Sequence, residues 1–234
     1  MQSDVAKRLV LFDVDGTLVK QWTGAPSQSG RLIKKYFGLD SSGIKFHGDG
    51  MTDRQILVEK LKLLGLKDPE KDPRIETALL GYTLITEEIM AEFGMEPIPG
   101  AESLVKKLID SGVTVGLLTG NTPGRARLKL EAVGLWHYFK IGAFGDVTSK
   151  RSELVKIGIK EAKKKTGISF SKADVFILGD TVRDIKCAKD SGVKSISVAT
   201  GKQSMETLLK ENPDLIFKDF SDTDKITNAI LSGS

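Results

Sequence analysis

The stretch RLVLFDVDGTL, residues 8–18, decides how the rest of the chain is read. Its first half is apolar on both faces, the pattern of a central strand in a parallel sheet. The run ends on Asp13, a carboxylate where a buried strand stops. Asp15 follows two residues on, and Gly16 permits a sharp turn. Two carboxylates this close repel and raise a pKa unless a cation neutralises them. A hard divalent ion such as Mg2+, bound through oxygen, would do so. An isolated Asp-Gly is an ordinary turn; a hexapeptide of this form after an apolar strand is a candidate site.

Further apolar runs predict strands at Val113–Thr119, Ile141–Phe144, Val175–Leu178, Ser195–Val198 and, more weakly, Leu215–Phe217. Helical patterns alternate with them over Ala101–Ser111, Gly124–Val133, Glu153–Lys165 and Asp184–Ser191. Gly112, Gly134, Gly167 and Gly192 follow as stop signals. The alternation predicts an α/β domain with a mostly parallel sheet, whose ligands bind beyond the carboxyl ends of the strands. From Lys20 to Glu96 the rhythm breaks. That region carries helical patterns at Gly30–Phe37, Thr52–Leu64 and Pro73–Phe93 and no convincing strand. The expected organisation is a core of residues 1–19 and 97–234, with an all-helical insert at 20–96 placed directly after the first strand.

Composition narrows the function classes. The 234 residues are long enough to bury a real core. A net charge of +4 is too small to imply nucleic-acid binding, and the lysines of 161–165 read as a solvated helix face. No apolar run approaches a membrane span. Met1–Arg8 lack a signal-peptide stretch, and the single Cys187 rules out an internal disulfide. These features predict a cytoplasmic protein, monomeric or dimeric, with no nucleic-acid or membrane partner. His47 and His137 have no partner spacing and read as structural, and Cys187 reads as core. Lys20 and Trp22 either face a ligand or merely pack.

Two other strand ends carry polar groups. Leu117–Asn121 ends on Thr119, Gly120 and Asn121; a hydroxyl and the following N–H groups can hold phosphate oxygens, although Thr is also a common helix cap. Leu178–Asp184 places Asp180 at a strand end and Asp184 one helical turn on, a spacing equally fit for a helix N-terminus.

With Asp13–Leu18 matching Asp-x-Asp-Gly-Thr-Leu and Gly179–Asp184 matching Gly-Asp-x-x-x-Asp, the chain resembles the haloacid dehalogenase-like superfamily, in its capped phosphatase branch. The resemblance implies a Rossmann-like core with a helical cap at 20–96, Asp13 as nucleophile and Asp15 as proton-transfer partner. It implies Mg2+ held by Asp13, the backbone carbonyl of Asp15, Asp180 and Asp184. Phosphate would be bound by Thr119, Gly120, Asn121 and a cation, either Lys150 or Arg151. The usual Lys-Pro is absent there; Arg151, just before the predicted helix, is preferred. Thr52, Asp53 and Arg54 in the insert are candidates for reading the substrate, with Thr52 equally a helix cap. The expected substrate is a small phosphorylated metabolite such as phosphoglycolate or a sugar phosphate. A phosphomutase is the nearest rival. A dehalogenase branch would lack Asp15 and need no metal, and a receiver-like phosphate-binding protein would be about half this length.

Overall fold

The computed structural model describes residues 7–233, so the reading of Met1–Arg8 falls mostly outside the described residues. Among them, six parallel strands form one sheet in the order β3-β2-β1-β4-β5-β6. Strand β1 (Leu9–Phe12) sits at the centre, between β2 (Thr114–Thr119) and β4 (Val175–Gly179). Beyond them lie β3 (Gly142–Phe144), β5 (Lys194–Val198) and β6 (Leu215–Phe217). Every strand expected from the sequence is present.

β1 is buried throughout, and its side chains alternate between two cores. Val10 and Phe12 join Leu104, Leu108, Leu130 and Ile226 on one face. Leu9 and Leu11 join Leu154, Val155, Ile177 and Ala188 on the other. The first face is covered by α4 (Ala101–Asp110), α5 (Pro123–Ala132) and α9 (Thr223–Ser232); the second by α6 (Arg151–Thr166) and α7 (Val182–Ser191). The short α8 (Met205–Leu209) and α9 were not anticipated. α9 carries its own signals: Asp222 caps it, and Ile226 and Ile230 recur one turn apart on its buried side.

Between β1 and α4 the chain forms α1 (Gln28–Phe37), α2 (Asp53–Leu63) and α3 (Arg74–Phe93). They share a third apolar cluster, including Leu32, Leu57, Leu61, Ile75 and Tyr82, distinct from the two sheet cores. The chain leaves and re-enters the core side by side. Lys20 donates its backbone N–H to Glu96 at 2.8 Å, and Ile98 donates to Leu18 at 3.0 Å. The Pro- and Gly-containing segment around residue 98 is thus tied into the core, with Ile98 buried. The architecture is a Rossmann-like parallel sheet with an inserted all-helical cap.

The strand order also locates the site. Successive connections run outward to β2 and β3, then return across β1 to β4, making the β1/β4 edge the switch point where such sheets bind ligands. In register, Phe12 pairs with Leu117 on one side and Leu178 on the other. Asp13, Thr119 and Asp180 therefore emerge along one sheet edge.

Candidate active site

Asp13, Asp180 and Asp184 converge beyond the ends of β1 and β4, each offering an oxygen within 4.8 Å of the others, and all are buried. Asp13 donates its backbone N–H to Leu178 at 2.9 Å, which fixes it beside the second acid. Asp180 Oδ1 accepts from the Thr17 hydroxyl at 3.1 Å, whereas Oδ2 is buried with no partner. Gly16, at φ +84°, crosses so close to this carboxyl that a Cβ would lie 2.7 Å from its Cγ. The glycine of the first motif thus serves both the turn and the approach of Asp180.

Asp184 does two jobs. Its Oδ2 accepts from the backbone N–H and hydroxyl of Thr181, closing a capping box at the start of α7. Its Oδ1 accepts from Arg151 at 2.5 Å. One side chain thus caps α7 and reaches the acid cluster. At Gly179 the missing Cβ makes room for the Asp184 carboxyl.

Arg151 supplies the site cation. It opens α6, is 8% exposed, and spans Asp184 and Asp13, the latter at 3.1 Å. Lys150 is the exposed N-cap residue of the same helix and does not line the cavity. One position decides between them because the helix start turns successive side chains about 100° apart.

The three carboxylates outweigh Arg151 by two charges. Burial pushes the Asp13 carboxyl up to about 6, Arg151 opposing and Asp184 and Asp15 adding to the rise. Burial, then Asp13 and Asp184, push Asp180 well above its ordinary range. Oxygen donors, an excess of two negative charges and an orphaned Asp180 oxygen together fit a divalent cation.

Asp15 belongs to a second network. Lys129 Nζ donates to its two oxygens at 2.6 and 2.7 Å, and Asn121 Nδ2 donates at 2.7 Å. Burial works to raise this carboxyl, but Lys129 and Arg125 outweigh it and bring it down to about 2. The Asp15 carbonyl, expected to face the metal, accepts a long bond from Gln21 Nε2 at 3.4 Å. Lys129 itself is fully buried, and burial and Arg125 lower it to about 8 against the pull of Asp15. Sequence reading passed over this lysine. Its signal was a lysine at position 129 of α5, on the buried side with Ala126 and Leu130.

Thr119 and Asn121 are buried and, with Gly120, line the cavity. The Thr119 Oγ1 accepts from Asn121 Nδ2 at 2.7 Å, leaving its own proton to donate. Gly120 is a close-approach position: a Cβ there would collide with the Met51 carbonyl of the cap.

The insert residues divide. Thr52 caps α2 and donates its hydroxyl to the Thr148 carbonyl at 2.9 Å. Arg54 donates to the Asp146 carbonyl at 2.5 Å and pairs with Glu76. Neither lines the cavity; both pin α2 to the core. Asp53 does line it, and pairs with Arg125 while accepting from the Thr122 backbone at 2.9 Å. Lys20 pairs with Glu96 away from the cavity, whereas Trp22 lines it. Cys187 is core, its thiol pushed up to about 12 by burial. His137 stacks on Tyr138 at 3.8 Å. The cavity between cap and sheet edge has a volume of about 350 Å³.

A buried acid triad with its cation and a separate, lysine-paired aspartate lie together beneath the helical insert. Residues 10–198 match the model of the family described as haloacid dehalogenase-like hydrolase, and the chain belongs to that family. It is an enzyme of the phosphatase type. It is 26% identical over 228 residues to the protein named probable phosphatase IndB of Dickeya dadantii, across 96% of this chain and 95% of that one. A phosphoglycolate phosphatase of Agrobacterium fabrum is 27% identical over 227 residues, across 94% and 92%. The crystal structure of a β-phosphoglucomutase from Clostridium difficile superposes with a TM-score of 0.67, covering 97% of this chain and 98% of that one. At 16% identity that likeness is one of fold. Among the described residues no helix is long and apolar enough to cross a membrane.

Proposed function

We propose that the protein is a Mg2+-dependent phosphomonoester hydrolase that acts on a small phosphorylated metabolite through an aspartyl-phosphate on Asp13. The observation that carries this reading is the division of labour between neighbouring acids. Asp13 lies in the metal-fitting triad, whereas Asp15, two residues on, is held ionised by Lys129 in a different network.

An Asp13 oxygen attacks phosphorus, and the bond to the leaving alcohol breaks. Asp15 gives the leaving oxygen a proton, then removes one from the water that attacks the aspartyl-phosphate and frees Asp13. Asp15 is a carboxylate in this state, ready as a base. For the acid step it must first be protonated, which the negative charge of a bound phosphate favours. Thr119, the backbone N–H groups of Gly120 and Asn121, and Arg151 hold the phosphoryl oxygens. Mg2+ would be held by Asp13, Asp180, Asp184 and the Asp15 carbonyl, and would supply charge neutralisation of the phosphoryl group.

Residues 20–96 act as the cap on residues 1–19 and 97–234, covering the leaving-group side. A cavity of about 350 Å³ suits a substrate the size of phosphoglycolate or a sugar phosphate. The protein is expected in the cytoplasm, as a monomer or dimer. Phosphate release from p-nitrophenyl phosphate tests the reading. Wild type should require Mg2+, and Asp13→Asn should lose activity by several orders of magnitude. Substantial Mg2+-dependent turnover by Asp13→Asn would rule out the nucleophile.

A further inference from the structure

One buried cation of the cavity wall is not used by phosphoryl transfer. Lys60 projects from α2, is 8% exposed, and lines the same cavity as Asp13. Among the described residues lining this cavity, Arg125, Arg151 and Lys202 each pair with a carboxylate. Lys60 pairs with none. Its Nζ donates to Ser29 Oγ at 2.9 Å and Ser27 Oγ at 3.2 Å, and lies 5.4 Å from the centre of the Phe46 ring. Two neutral hydroxyls occupy two of the three ammonium donors and leave its charge unmatched.

Burying an ammonium without a counter-ion is costly. Here burial alone pushes the Lys60 pKa down, with no acid opposing it. The cost is accounted for if an anionic ligand completes the pair. A second donor of the cavity lining is also unmet: Arg125 Nε is buried with no acceptor, although its Nη1 binds Asp53. Lys60 belongs to the cap, whereas Asp13, Thr119 and Arg151, the groups read above as engaging phosphate, lie at the sheet edge. A ligand at Lys60 is therefore the far end of the substrate.

We propose that Lys60 binds a carboxylate at the non-phosphoryl end of the substrate, so that the enzyme selects small phosphomonoesters bearing a carboxylate over sugar phosphates whose other end is uncharged. This rests on the phosphatase reading above. A single unmatched cation suits one negative charge; a second phosphate would bring nearly two. The apolar wall of Phe46 and Ile56 raises the weight of a charge-assisted hydrogen bond by excluding water.

The test compares kcat/KM for phosphoglycolate and hydroxyethyl phosphate, which differ in carboxylate against hydroxymethyl. Wild type should favour phosphoglycolate by about 10-fold or more, and Lys60→Met should cut that ratio by about 10- to 100-fold. Lys60→Arg, which keeps the charge, should retain most of the ratio. Calorimetric binding of both esters to Asp13→Asn should show the same preference without turnover. Equal or better use of hydroxyethyl phosphate by wild type overturns the proposal, as does an unchanged ratio in folded Lys60→Met. If Lys60→Met does not fold, the wild-type ratio and Lys60→Arg decide. Wild type that hydrolyses p-nitrophenyl phosphate without carboxylate preference overturns this proposal alone; wild type inactive on all three esters overturns the phosphatase reading with it.

Discussion

Removing the metal should make the folded protein pay for its own active site, and pH reads out by how much. In the metal-free protein the Asp13 carboxyl stands at about 6 against an ordinary value of 3.8, raised mainly by burial. The folded state then holds this proton more tightly than the unfolded chain does. The contribution of this proton to stability is fully present below pH 3.8 and is lost as pH rises through about 6. That difference corresponds to about 3 kcal/mol. For a chain of this size that is about 6–12 °C in Tm. Asp13→Asn keeps the shape and removes the titration. Calorimetric melting in EDTA should therefore show the wild-type Tm dropping by about 6–12 °C relative to Asp13→Asn between pH 4 and pH 7.5. Adding Mg2+ at pH 7.5 should restore wild type more than the variant, because binding to the folded state stabilises it. Parallel melting curves for the two proteins across this range, or a gap of the opposite sign, would refute the assignment of Asp13 to a buried, like-charged cluster.

Two further outcomes separate neighbouring residues. Arg151→Met leaves Asp13 and Asp184 without their buried cation, so metal-free stability should fall by about 3 kcal/mol in denaturant titration and phosphate release by about 10²- to 10³-fold; Lys150→Ala, on an exposed cap residue, should change stability by no more than about 0.5 kcal/mol. Lys129→Met frees an Asp15 side chain that is 26% exposed, so its cost is discounted to about 2 kcal/mol. With the carboxyl no longer held at about 2, the acid limb of the pH–rate profile should move up by about 1–2 pH units. An unmoved acid limb would show that Lys129 does not set the ionisation of Asp15.

The alternation of apolar runs with helical stripes was enough to specify the sheet and the helical insertion, because strand burial and helix amphipathicity are local, periodic properties. Asp13, Thr119 and Asp180 were legible for the same reason: each is the first polar residue where an apolar run stops. The sequence favoured Arg151 over Lys150 only by its place just before the predicted helix, since both are cations one residue apart. The choice depends on which one the first turn of α6 directs toward Asp184.

The cap residues show the limit most clearly. Thr52, Asp53 and Arg54 read as a polar loop beside a helix, but whether such a loop reaches a ligand or pins one layer to another depends on contacts with Gly120, Asp146 and Thr148, far away in sequence. Lys129 and Lys60 were hidden because a lysine on a helix is ordinarily a solvated charge. By itself the sequence determined the chain's architecture and the acids at its strand ends, starting from RLVLFDVDGTL. Only the tertiary structure decided which charges those acids face, because pairing inside a folded protein is set by the packing of distant segments.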